Sequence, residues 1–143
     1  MLLYKIGRFC YKLSIPIIPV ICNFTIRIVH NSAVFSETSI GEGTKFAYGG
    51  IAVVVHKRAV IGKNCMIGSN VTIGGRSKSH DVPIIGDNVY IATGAKILGP
   101  ITIGDNSVIG ANAVVISDIP ANCVAAGVPA RVIKRNIDPK DFY

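Results

Sequence analysis

Aliphatic side chains return every sixth residue over half of the chain. They stand at Val55, Ile61, Ile67 and Ile73, and again at Ile85, Ile91, Ile97, Ile103, Ile109 and Val115. Twelve residues separate the two runs (85 − 73), so the six-residue phase survives the break between them. A period of six fits neither the 3.6 of an amphipathic helix nor the 3.5 of a coiled coil. Segments of two or three residues with no hairpin turns cannot close an up-and-down barrel. The pattern predicts an all-β protein, a parallel β-helix whose strands bond to the turns above and below them. Three sides of six give about 18 residues per turn, which would stack Val55, Ile73, Ile91 and Ile109 on one face.

The polar positions carry equal information. Asparagine occupies the fourth place of the repeat at Asn64, Asn70, Asn88, Asn106 and Asn112, with Gly94 in the step between. Asn and Gly share a tolerance of left-handed backbone, so a corner is expected at each. Glycine fills the second place at Gly62, Gly68, Gly74, Gly86, Gly104 and Gly110. Two stretches disturb the repeat. Phe46 to Val54 contains Ala47-Tyr48-Gly49-Gly50, and Arg76 to Pro83 is a polar loop carrying Lys78, His80 and Asp81. A site on a regular coil is expected where the coil is interrupted.

Residues 1–32 read as an N-terminal helical segment, 33–133 as the β-helix and 134–143 as a tail. Leu2, Leu3, Ile6, Phe9, Cys10 and Leu13 recur at helical spacing opposite Lys5, Arg8 and Lys12, and Pro16 ends that helix. Ile17 to Val29 is apolar but too short and too interrupted to span a bilayer, and Asn31-Ser32-Ala33 makes a poor signal-peptide cleavage site. The segment is expected either to cap the coil or a neighbouring subunit, or to lie as a basic anchor on an anionic membrane face.

Composition narrows the partners. The chain has 143 residues, 50% hydrophobic and 16% charged, with net charge +7. That excludes a disordered tail protein and admits an anionic partner. Scattered basic residues and few aromatics give no support for nucleic acid. Cys10, Cys22, Cys65 and Cys123 lie far apart with no metal-ligand spacing, which indicates a reducing compartment and no metal site.

Several pieces resemble the left-handed β-helix hexapeptide-repeat acyltransferases, in particular the serine acetyltransferase and sugar O-acetyltransferase branches. They are Val-Thr-Ile-Gly-Gly-Arg at 71–76, Ile-Gly-Asp-Asn-Val-Tyr-Ile at 85–91, Gly-Ala-Lys-Ile-Leu-Gly at 94–99 and Ala-Ala-Gly-Val-Pro-Ala-Arg-Val-Ile at 125–133. The likeness runs from about Ile40 to Ile133. It implies a left-handed coil, a homotrimer with sites between subunits, and acetyl-CoA as donor for an acceptor hydroxyl, on serine or on a sugar of a surface polysaccharide or its precursor. It further implies a cytoplasmic protein, held at the inner membrane face if the N-terminal segment is an anchor. The resemblance places pantetheine along Thr93, Gly94, Ala95, Gly110 and Ala111, closed by Ala126 and Gly127, with the phosphates on Arg131, Lys134 and Arg135.

Transfer of acetyl to a hydroxyl needs a general base and donors for the developing oxyanion. Of three histidines, His56 and His80 lie at or near the two breaks, and His30 precedes the coil. Where the family carries its catalytic His in the first break this chain has Tyr48; before the loop proline it has Val82; in place of the supporting Asp it has Ala33. The catalytic group is therefore expected among His56, His80 and Tyr48, with Arg76 and Asp81 on the acceptor. A CoA-binding homologue without turnover is the alternative. Cys65 takes an inward position, so direct transfer in a ternary complex is expected over a cysteine-bound acetyl. A zinc site of three histidines is disfavoured, because 30, 56 and 80 are spaced by 26 and 24, neither a multiple of 18.

Overall fold

The computed structural model describes residues 2–142. Two helices, α1 (Leu2–Lys12) and α2 (Ile17–His30), precede a coil of short strands. The stop between them follows from Pro16, and Pro19 is tolerated in the first turn of α2, where its missing N–H costs no helical bond. Asn31 ends α2 in left-handed conformation, φ 48°.

The coil has three faces, each a parallel sheet running along the axis. The first face stacks Ser39–Ile40, Val60–Ile61, Ile84–Ile85 and Thr102–Ile103. The second stacks Lys45–Phe46, Met66–Ile67, Tyr90–Ile91, Val108–Ile109 and Cys123–Gly127. Ala130–Arg135 then pairs antiparallel with Cys123–Gly127 and closes that sheet, its last pairing at Arg135. The third face stacks Val54–Val55, Thr72–Gly74, Lys96–Leu98 and Val114–Val115.

The hexad predicts which side chains fill the core. Ile61, Ile67, Ile73, Ile85, Ile91, Ile97, Ile103 and Ile109 are all fully buried, each worth about 1.5–3 kcal/mol over an exposed state. The fifth-place residues Ala59, Cys65, Val71, Val89, Ala95, Ser107 and Ala113 fill the space between these ladders. The fourth-place Asn and Gly residues turn left-handed: Asn64, Asn70, Asn88, Asn106 and Asn112 have φ of 54–57°, and Gly94 has 78°. Of the second-place glycines, Gly62, Gly68, Gly86, Gly104 and Gly110 are forced by close approach, and Gly74 is not. A Cβ on Gly62 would stand 2.4 Å from the Gly86 carbonyl oxygen.

One expectation of register fails. Val55 pairs with Ile73 and Ile91 with Ile109, but Ile73 does not pair with Ile91. Ile73 stacks on Ile97, 24 residues on (97 − 73), and Ile67 stacks on Ile91. The loop after Gly74 adds its residues at one corner, between the third face and the first, instead of forming a face. Six-residue phase is kept while the turn grows by one repeat.

The helices close the first-turn end of the coil. Tyr4 and Ile26 join the coil's core cluster beside Val34. Tyr4 Oη donates to the Thr38 carbonyl at 2.6 Å, Arg8 Nη1 donates to the Glu37 carbonyl at 2.7 Å, and Asn23 Oδ1 accepts from Ser36 N and Oγ. Of the two roles expected for residues 1–32, packing on the coil is therefore observed.

Candidate active site

The two breaks lie at different corners of the coil. Phe46 ends a second-face strand, and Ala47–Gly50 forms a tight turn leading to the third face. Tyr48, Gly49 and Gly50 are all left-handed, with φ of 51°, 70° and 83°. This conformation turns Tyr48 outward, where it is 78% exposed. The polar loop 75–83 leaves the third face and enters the first. His56, which follows the buried Val55 of the third face, sits at that same corner one turn earlier: its ring lies 4.0 Å from a Cβ built on Gly75.

His56 and His80 meet through Arg58. The Arg58 amide donates to His56 Nδ1 at 3.2 Å, and the Arg58 guanidinium donates to His80 Nε2 at 2.8 Å. The spacing argument that kept these histidines apart fails here, because the loop folds back onto the corner that carries His56. An amide N–H and a guanidinium can only donate. His56 therefore holds its lone pair at Nδ1 and presents Nε2–H outward, whereas His80 holds its lone pair at Nε2. Partial burial, then the Arg58 and Lys57 charges, pull His56 below the ordinary histidine value. The ring stays neutral near pH 7.

Beside the loop lies a cavity of about 430 Å³ lined by Gly75, Arg76, Ser77, Leu98, Pro100 and Ile116. Leu98 and Ile116 are functional candidates that the sequence pattern alone did not single out. The signal was present: Leu98 and Ile116 are bulky apolar residues at the second place, where six of the repeats have glycine. Asp81 is exposed on the same loop.

The expected cofactor residues form a column at the corner between the second and third faces, the corner that also carries Tyr48. Ser69 Oγ and Thr93 Oγ1 lie 3.5 Å apart, the Asn112 amide donates to the Thr93 carbonyl, and Gly110 comes within 2.9 Å of Ala126 Cβ when given a Cβ. From Gly68 through Ala92, Gly110 and Ala126 no side chain exceeds a methyl group. Arg131 pairs with Ala126 and closes the column, its Nη1 donating to the Ala130 carbonyl. Lys134 and Arg135 pair with Val124 and Cys123, farther back along the strand, and Lys134 lies over the Phe142 ring. Ala95 is wholly buried and its carbonyl accepts from Thr72 N, so it shapes the corner from inside. Gly94 is buried and left-handed, and Gly127 is exposed and left-handed.

In one chain, then, His56, His80, Arg76 and Asp81 gather at one corner. Tyr48, Thr93, Gly110, Ala111 and Arg131 gather at another, across the width of the third face. His30 borders the second corner, 3.5 Å from a Cβ built on Gly49. Cys65 is buried with Sγ donating to the Gly86 carbonyl, and burial pushes its thiol up. That suits packing and not nucleophilic attack. Among the described residues no group of three or more His, Cys, Asp or Glu side chains is arranged to hold a metal.

The family profile described as bacterial transferase hexapeptide (six repeats) matches residues 83–117, and the hexapeptide repeat of succinyl-transferase matches residues 58–75. A serine acetyltransferase of Synechococcus elongatus is 34% identical over 96% of this chain and 58% of its own length. The crystal structure of serine acetyltransferase from Brucella abortus strain S19 superposes with TM-score 0.89 at 31% identity, over 95% of this chain and 56% of that one. A serine acetyltransferase solved in complex with CoA gives 0.83 at 31% identity, over 92% and 54%. The chain thus spans somewhat over half the length of these relatives. Their likeness fixes the winding of the coil as left-handed.

Proposed function

We propose that the chain belongs to the left-handed β-helix hexapeptide-repeat acyltransferases, on their serine acetyltransferase-like branch, and that it transfers acetyl from acetyl-CoA to an acceptor hydroxyl. The observation that carries this reading is the pair of histidines joined by Arg58 on the loop corner. Their tautomers divide the labour. His80 Nε2, once Arg58 turns away from it, accepts the proton of the acceptor hydroxyl as that oxygen attacks the thioester carbonyl carbon. His56 Nε2–H donates to the carbonyl oxygen as it gains negative charge. When the carbonyl re-forms and the C–S bond breaks, protonated His80 returns the proton to the departing sulfur. The thioester supplies an activated acyl group, so no covalent enzyme intermediate is needed.

The column of small residues suits a thin pantetheine arm, with Thr93 and Arg131 as its polar groups and Lys134 and Arg135 within the phosphates' wider field. The histidine corner and this column are separated within one chain. A homotrimer, in which the loop corner of one copy faces the column and Tyr48 of the next, would complete the site. Arg76 and Asp81 then face the acceptor, which is serine or a sugar hydroxyl, the latter including a surface polysaccharide or its precursor.

The test is release of free thiol from acetyl-CoA with serine and with sugars as acceptors. His80→Ala should lower kcat/KM by about 10²–10⁴, and His56→Ala by about 10²–10³, with His56→Gln milder because it keeps a donor. Full activity in both alanine variants would sink the assignment. The Arg58 guanidinium on His80, with Tyr48 and Ala33 where the resemblance puts the family's catalytic His and its supporting Asp, favours a second reading of CoA binding without turnover. Tight CoA binding with no thiol from any acceptor would select it.

A further inference from the structure

Helices α1 and α2 are apolar on two sides, and the coil uses only one. Inward, Tyr4, Gly7 and Cys10 of α1 and Pro19, Cys22 and Ile26 of α2 are buried. Outward, α1 exposes Leu2, Ile6 and Phe9, with Leu13 just past its end, and α2 exposes Ile17, Val20, Ile21, Phe24 and Ile28. With 3.6 residues per turn, each set falls in one stripe along its helix. The stripes are open to solvent over most of their area: Phe9 is 65% exposed, Phe24 64% and Ile28 67%. Soluble monomers rarely leave a contiguous patch of this kind uncovered.

Charge decides what covers it. Residues 1–36 contain Lys5, Arg8, Lys12 and Arg27 and no acidic residue; all eight Asp and Glu of the chain lie from Glu37 onward. Lys5, Arg8 and Lys12 line a cavity of about 360 Å³ between α1 and the first coil corner, with Phe9 at its edge and Glu42 as its one acidic lining residue. A second copy offering the same face would set four cations against four, with no acid in either helix to answer them. A phosphate-bearing lipid surface answers both features, since its acyl boundary takes the stripes and its headgroups take the cations. The placement agrees, because the helices close one end of the coil and their outward stripes face away from it. Among the described residues no helix is long and apolar enough to cross a membrane, so the contact lies in the interface plane.

We propose that the outward faces of α1 and α2 form a peripheral docking surface for an anionic bilayer. This assignment is independent of the acetyl-transfer reading. The full chain should float with vesicles of phosphatidylcholine and phosphatidylglycerol and not with phosphatidylcholine alone, and the binding should weaken as salt rises. Each surface cation is worth about fivefold in partition, so Lys5→Gln with Lys12→Gln should weaken it about 25-fold. Phe24→Ser with Ile28→Ser should weaken it as well, with the circular dichroism spectrum retained. Should that pair fail to fold, the exposed-charge variant carries the test. Absence of flotation on phosphatidylglycerol vesicles overturns the proposal. So does a particle mass that rises with protein concentration and is reduced by Phe24→Ser, since a second copy would then cover the face.

Discussion

Arg58 is the residue on which the histidine corner turns. Its backbone fixes the tautomer of His56 and its side chain covers the lone pair of His80. It also contributes, after desolvation, to the depressed pKa of His56. Replacement by Met should therefore raise the His56 titration midpoint toward the unperturbed value of about 6.5, read from the ring proton shifts by NMR. The same depression links to stability. With the folded value below the unfolded one, the unfolded chain takes the proton first as pH falls. The contribution of His56 is present in full above about 6.5 and drains away as pH drops through the folded value. In Arg58→Met that loss should begin at the same pH and reach a smaller total. No pattern in the sequence announces this role, since Arg58 lies among charged residues at an ordinary corner and its partner is 22 positions away.

At the scale of the repeat, the corners are built from side chains as well as backbone. Asn88 Nδ2 donates to Asn106 Oδ1 and Asn106 Nδ2 to Asn122 Oδ1, both at 3.1 Å, forming a ladder along one edge. Asn106→Ala loses both bonds and strains a φ of 57°, a cost of about 2–3 kcal/mol. Asn106→Gly loses the bonds only, and chemical denaturation should find it about 1 kcal/mol more stable than the alanine variant. These elements were legible in the sequence because each hexad position meets a single physical demand, with Ile inward, Asn at the corner and Gly where turns nearly touch. Ile73 shows where legibility stops. Counting from Val55 finds its partner below, but its partner above depends on how many residues the loop spends at one corner, and a polar loop has no period from which to count. The same loop hid the meeting of His56 with His80. At the helices, spacing predicted α1 and Pro16 its stop, while the polar clamp of Asn23 on Ser36 is a contact between distant segments that no local pattern encodes.

At the scale of the whole molecule, the first face bears on assembly. Val60 and Ile84 are adjacent there and both point outward, at 40% and 50% exposure. In the proposed trimer such residues meet a neighbouring copy. Ile84→Lys should shift the particle mass toward the monomer by light scattering, and it should lower turnover with the mass if the site is shared between copies. A monomeric wild-type chain with full activity would remove the need for a shared site.

The 24-residue turn has a further consequence. Ile61 pairs with Ile85 and Ile73 with Ile97, so the spine is stitched above and below the loop by contacts that the loop itself does not make. Closing a somewhat longer or shorter segment there changes the entropy by well under 1 kcal/mol. On the proposed acetyl-transfer reading, the corner is a socket into which acceptor chemistry can be exchanged while the scaffold stays in register. Exchanging residues 76–82 for a Gly/Ser segment of equal length should leave the melting temperature within about 4 °C and abolish acetyl transfer. A chain that failed to fold would instead make the loop part of the spine.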